Sequence, residues 1–166
     1  MPESEVRKMK ALIVYYSLEG STKLIAQELK SKLGADVLEL VPSKAYPTGK
    51  VSKFLFGGKS AVMSETPVLE PYSVDMNAYG TVILGTPVWA SRCAPPLRTF
   101  LEEQSLFGKK VAAYACAAGK SAGKTFEQFE QLCGGKLVHT ELFTAPAEGR
   151  DPEKDSKLEK LAAACK

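Results

Sequence analysis

The chain has 166 residues, 45% apolar and 25% charged, which suits one domain and is a folded rather than a disordered composition. Its 22 basic and 19 acidic residues leave a formal charge of +3, with the bases dispersed among acids, so nothing points to nucleic acid. No apolar run approaches the roughly 20 residues of a membrane span, and Ala11–Tyr15 is too short for a secretory signal, so a cytoplasmic protein without membrane contact is expected.

The four cysteines, Cys93, Cys116, Cys133 and Cys165, are widely spaced and form no CxxC pair. With His139 as the single histidine, neither a disulfide scaffold nor a zinc or other metal site is expected. Plain thiols in a reducing compartment are the simpler reading.

In chain order, Ala11–Tyr15 reads as a buried strand of β-branched and aromatic residues. Leu24, Ile25, Leu29 and Leu33 then form an apolar stripe near helical spacing, and Gly34 is a natural stop. Val37–Val41 is the second strand. Tyr46–Pro71 is less regular: a helical piece broken near Gly57-Gly58, then an extended stretch around Pro67–Pro71. Tyr79–Leu84 is the third strand and ends at Gly85; Pro95 and Pro96 open a helix that buries Leu97, Phe100 and Leu101. Val111–Tyr114 is the fourth strand, Thr125–Cys133 a helix, and Leu137–His139 with Leu142 the fifth strand. A last helix starts near Asp151 and buries Leu158, Leu161, Ala162 and Cys165. Five such units predict a single α/β domain over residues 1–166, a doubly wound parallel sheet with helices on both faces.

Ligands of open α/β sheets collect beyond the carboxyl ends of the strands, near the point where strand order reverses. Three strand exits are unusual. The first, Ser17–Thr22, supplies hydroxyls at Ser17, Ser21 and Thr22, a turn-permitting Gly20, and a helix start. Free amides and the helix dipole there favour a phosphate; an ordinary N-cap is the competing reading. The GxGxxG dinucleotide fingerprint is absent.

The second exit, Gly85–Arg92, carries Trp89, the one tryptophan, whose plane can cover a flat heterocycle; a buried structural indole is the rival. Pro87 stiffens this stretch and lowers the entropy cost of holding the indole against a ligand. The third exit, Cys116–Thr125, contains a relaxed phosphate-loop pattern from Ala118 to Thr125. It follows the fourth strand, and no later strand ends in an Asp suited to magnesium, Glu141 being the nearest acid. A small-residue loop shaping a flat pocket explains the same letters better than a triphosphatase does.

Together these loops resemble the flavodoxin superfamily, in particular its short flavodoxin-like oxidoreductases. YYSLEGSTKLIA, Tyr15–Ala26, is the most specific stretch, set against the family's Thr/Ser-x-Thr-Gly-x-Thr loop. The resemblance implies a five-stranded sheet of order 2-1-3-4-5 and FMN as cofactor. By it, Ser17, Leu18, Glu19, Gly20, Ser21 and Thr22 hold the phosphate through hydroxyls and backbone amides. Thr86, Pro87, Val88, Trp89 and Ala90 touch the ribityl chain and one ring face, and Cys116, Ala117, Ala118, Gly119 and Gly123 lie beside the pyrimidine edge. Glu19 departs from the pattern, standing where many flavodoxins have Thr. Arg92, Lys120, Lys124 and Lys23 replace the acidic cluster common after the second loop.

FMN carries its own chemistry, so no paired carboxylates or activated nucleophile are needed, and none is evident. Cys93 and Cys116 near the loops read as packing thiols. Two functions follow from the resemblance. One is an electron shuttle that docks on a redox partner protein; the other is an NAD(P)H-dependent oxidoreductase passing electrons to a quinone, flavin or other small acceptor. A cofactor-free scaffold is a third reading. Val51–Met63, with Phe54-Leu-Phe-Gly-Gly58 at its centre, is a candidate flavin cover or dimer contact, so both a monomer and a homodimer stay open.

Overall fold

The computed structural model describes residues 10–46 and 65–166. The chain runs through β1 (Lys10–Tyr15), α1 (Ser21–Leu33), β2 (Asp36–Glu39), β3 (Tyr79–Trp89), β4 (Arg92–Cys93), α2 (Pro95–Glu103), β5 (Lys110–Ala117), α3 (Thr125–Cys133), β6 (Thr140–Thr144) and α4 (Lys154–Ala164). Five strands pair in the order β2-β1-β3-β5-β6, all parallel, and β4 folds back antiparallel on the end of β3. With β4 set aside, this is the expected 2-1-3-4-5 order.

Alternation along the strands builds one core on each face of the sheet. Leu12, Val14, Val82 and Leu84 point to the side covered by Leu97 and Phe100 of α2 and Phe129 of α3. Ile13, Tyr15, Ile83 and Tyr114 point to the other side, against Ile25 and Leu29 of α1 and Leu158 and Leu161 of α4. Two apolar faces on one sheet require helices on both, which is why the strand runs are apolar without interruption.

Several boundaries differ from the sequence-based expectation for local reasons. The third strand does not stop at Gly85 but continues to Trp89. Pro87, which lacks a donor, is tolerated because β1 leaves the ladder at Gly85, so beyond that point β3 keeps only β5 as its long neighbour. The last strand is Thr140–Thr144, which contains Leu142 as expected but not Leu137–His139. The earlier residues still bond along β5 as a strand-like lead-in, through Val138 N to Val111 O (2.8 Å) and Ala113 N to His139 O (3.1 Å). The final helix begins at Lys154 because Asp151 is used to cap the turn before it, accepting from the Glu153 amide at 3.0 Å.

Of the irregular Tyr46–Pro71 stretch, the helical piece near Gly57-Gly58 and the Val51–Met63 candidate lie outside the described residues. The extended part is present: Leu69 bridges Pro42 antiparallel, with Ser43 N to Val68 O at 2.8 Å and Glu70 N to Val41 O at 2.6 Å. Among the described residues, no helix is long and apolar enough to cross a membrane, and no group of histidine, cysteine and acidic side chains could hold a metal ion.

Candidate functional site: a cleft at the carboxyl edge of the sheet

A cleft of about 480 Å³ opens where β1, β3, β5 and β6 end. Its first wall is the turn into α1. Gly20 takes φ +102°, a left-handed conformation that a side chain would resist, and its carbonyl accepts the first helical bond from Leu24 at 2.9 Å. The first turn of a helix leaves its amides without helical acceptors, and no bond ties those of Ser21 and Thr22 to a chain acceptor among the described residues.

The hydroxyls beside them are placed by accepting. Ser17 Oγ takes the Gly20 amide at 3.1 Å, and Ser21 Oγ takes the Ala147 amide at 3.3 Å. Each hydroxyl therefore keeps its own proton to donate. Ser17, Leu18, Glu19, Ser21 and Thr22 all line the cleft, while Gly20 shapes the turn behind them. This wall sets out amides, hydroxyls and the positive end of a helix, groups that favour an anion.

The second wall is the end of β3. Pro87 and Trp89 line the cleft. The indole is 8% exposed and packs edge-on against Tyr46 (5.2 Å) and Tyr16 (5.7 Å), which also meet each other at 6.0 Å. Trp89 is therefore a core residue that also forms part of the cleft wall. The remaining residues of this stretch play structural parts. Thr86 is fully buried, its hydroxyl accepting from Ala94 N and donating to Pro87 O, each at 2.8 Å. Val88 pairs with Cys93 across the hairpin, and Ala90 sits exposed at its tip.

The third wall is the end of β5, where Cys116, Ala117 and Ala118 line the cleft. Burial pushes the Cys116 thiol up to about 12, against the lowering effect of a hydrogen bond from the Thr22 side chain. Cys93 rises to about 12 by burial as well. Both are thiols at neutral pH and act as packing groups. Gly119 and Gly123 stand away from the cleft wall. Gly119 O accepts from Thr144 Oγ1 at 3.2 Å, and Gly123 packs so tightly on Ser91 that a Cβ would lie 2.4 Å from the Ser91 Cβ. The residues resembling a phosphate loop therefore brace the β3–β4 hairpin: Lys124 N bonds Ser91 O at 2.8 Å, and the Thr125 side chain is fully buried.

A fourth wall had no counterpart among the sequence-based candidates. The turn after β6 brings Ala145, Ala147, Glu148 and Arg150 to the cleft. The basic residues singled out from the sequence, Lys23, Arg92, Lys120 and Lys124, do not line it; Arg150 does.

A cradle for an anion beside an aromatic wall, at the reversal point of a doubly wound sheet, defines the class of open α/β proteins that bind nucleotide-like ligands at their strand ends. The flavodoxin family model matches residues 10–146, and the chain belongs to that family. Its fold is similar to that of a flavoprotein from Lactobacillus acidophilus solved in complex with FMN: 21% identity, TM-score 0.75, covering 93% of this chain and 99% of that one. It is also similar to the two-electron reduced flavodoxin of Megasphaera elsdenii, at 18% identity and TM-score 0.57 over 93% and 97% of the two chains. A third similar fold is an NADH:FMN oxidoreductase in its apo form, at 11% identity and TM-score 0.56 over 93% and 87%. At these identities the likeness is one of fold. No curated protein matches the sequence.

Proposed function

We propose that the cleft binds FMN, phosphate first, and that the protein is an electron-transfer flavoprotein. The observation that carries this reading is the anion cradle: unengaged amides at Ser21 and Thr22, with Ser17 and Ser21 hydroxyls still able to donate, all on the wall of one cleft. Family membership supports the same ligand. In this reading the Ser17–Thr22 turn would hold the phosphate, and Pro87, Trp89 and the Cys116–Ala118 strand end would contact the rest of the flavin.

Bound flavin supplies one-electron or hydride transfer. This chain positions it, keeps water from its inner face and presents no titrating thiol to it. The small residues Ala117 and Ala118 leave room for a flat ring to approach the backbone. The flavin so held would take electrons from a reduced donor and pass them to a redox protein or a small acceptor.

Arg92, Lys120, Lys124 and Lys23 follow strand ends or open α1 at this same edge of the sheet, and their charge favours a second reading, an NAD(P)H-dependent oxidoreductase with an anionic donor. Anaerobic mixing of the FMN-loaded protein with NADH or NADPH separates the two. Bleaching of the flavin band by a nicotinamide alone assigns the oxidoreductase. No bleaching by either, with reduction by a reductase protein, assigns the shuttle.

A further inference from the structure

The turn that forms the fourth wall is fastened from both sides. Asp151, whose side chain is 2% exposed, accepts from the Thr144 amide (2.9 Å) and from Lys157 Nζ (2.7 Å), and Lys157 also bonds the Leu142 carbonyl at 2.7 Å. Ala145 N bonds Ala117 O at 2.8 Å, and Ala147 N reaches Ser21 Oγ on the first wall. Ala145 itself is held at φ +39°. A strained residue, a buried ion pair and a link to the phosphate turn together fix the backbone position of Arg150, the neighbour of Asp151.

Among the described residues that line the cleft, Arg150 is the one cation, and Glu19 and Glu148 are the carboxylates. Arg150 spends its charge on Glu148 at 3.1 Å, but both side chains are mostly solvent-exposed, at 60% and 65%. Exposed pairs of this kind are held weakly, whereas a guanidinium and a phosphate meet through two parallel, charge-assisted bonds. Exchange of one partner for the other is therefore favourable once a phosphate is present.

We infer that Arg150 leaves Glu148 for the terminal phosphate of the bound flavin, and so makes this cleft select phosphorylated flavin over riboflavin. The inference rests on the FMN reading above and adds to it a residue outside the three loops.

The test titrates FMN and riboflavin separately into wild-type, R150Q and E148Q proteins, following flavin fluorescence at low and high salt, with a thermal melt of each variant as the folding control. Wild type binds FMN more tightly than riboflavin. R150Q weakens FMN about tenfold, the scale of one charge-assisted bond at a partly exposed site, and leaves riboflavin unchanged. R150Q also flattens the salt dependence of FMN binding, and E148Q tightens FMN. Equal losses for both flavins in R150Q, or no loss for either, would overturn the role of Arg150 while leaving the FMN reading intact. A wild-type protein that binds neither flavin would overturn both.

Discussion

The Tyr114 hydroxyl donates to the Thr22 carbonyl at 2.8 Å, joining the middle of β5 to the first turn of α1. The tyrosine crosses the sheet directly over Gly85, its register neighbour on β3, where a Cβ would fall 2.3 Å from the ring. A buried core contact thereby sets the position of the helix end that forms the anion cradle. Burial also holds the phenol well above its ordinary range, so it stays a donor throughout the physiological pH range.

Y114F leaves the Thr22 carbonyl without its partner and should lower stability by about 1–3 kcal/mol. G85A, which drives a methyl into the ring, should cost as much or more. Chemical denaturation measures both. Each variant should also bind FMN less tightly than wild type, since each disturbs the placement of α1.

The β3–β4 hairpin turns through Ala90 and Ser91 at φ +49° and +65°. Such two-residue turns demand left-handed residues, and alanine tolerates that conformation poorly. A90G should therefore stabilise the protein by about 0.5–1 kcal/mol, the relief of strain less the added chain entropy. A melting temperature that falls in A90G would show that the turn is not strained. Ser91 is a poorer place for the change, because Gly123 and Lys124 pack and bond against it.

Asp151 gives a pH dependence of defined sign. Burial alone would raise its carboxyl, but hydrogen bonds from Lys157 and from the Thr144 and Glu153 amides, with the Lys157 charge, outweigh that and leave it below the ordinary value. Its folded pKa is lower than its unfolded value near about 4, so its stabilisation is complete above that pH. As pH falls through the folded value, the stabilisation is lost. D151N should cost about 2 kcal/mol at neutral pH and flatten the acid limb of the stability curve below about pH 4. An unchanged acid limb would contradict this assignment.

Trp89 belongs to the core and to the cleft, and the two parts separate experimentally. W89A should cost about 3 kcal/mol of stability, as large-to-small changes in buried aromatics do, and should also weaken FMN binding. Lost stability with unchanged FMN affinity would reduce the indole to a packing role.

The strands and the turn into α1 are legible from sequence because their signals are local, whereas the sheet order follows only from the resemblance to the flavodoxin superfamily. Apolar runs mark the strands, and Ser17, Gly20, Ser21 and Thr22 carry hydroxyls and a turn glycine within six residues. The end of β3 was misjudged because Gly85 and Pro87 look like terminators; only the early departure of β1 from the ladder explains why the strand continues. Gly119 and Gly123 looked like pocket residues because small residues serve close packing on chain and on ligand alike. Here Gly123 serves Ser91. The fourth wall was invisible: Ala145 and Ala147 have featureless side chains, and the Asp151–Lys157 pair that fixes Arg150 becomes meaningful only once β6 and α4 are side by side.

The most direct test adds FMN to purified protein freed of flavin while following flavin fluorescence and the emission of Trp89, the one tryptophan of the chain. Both signals should quench together and saturate at one flavin per chain, leaving a yellow protein with a shifted flavin band. A colourless protein whose two signals stay unchanged as FMN is added would contradict the account.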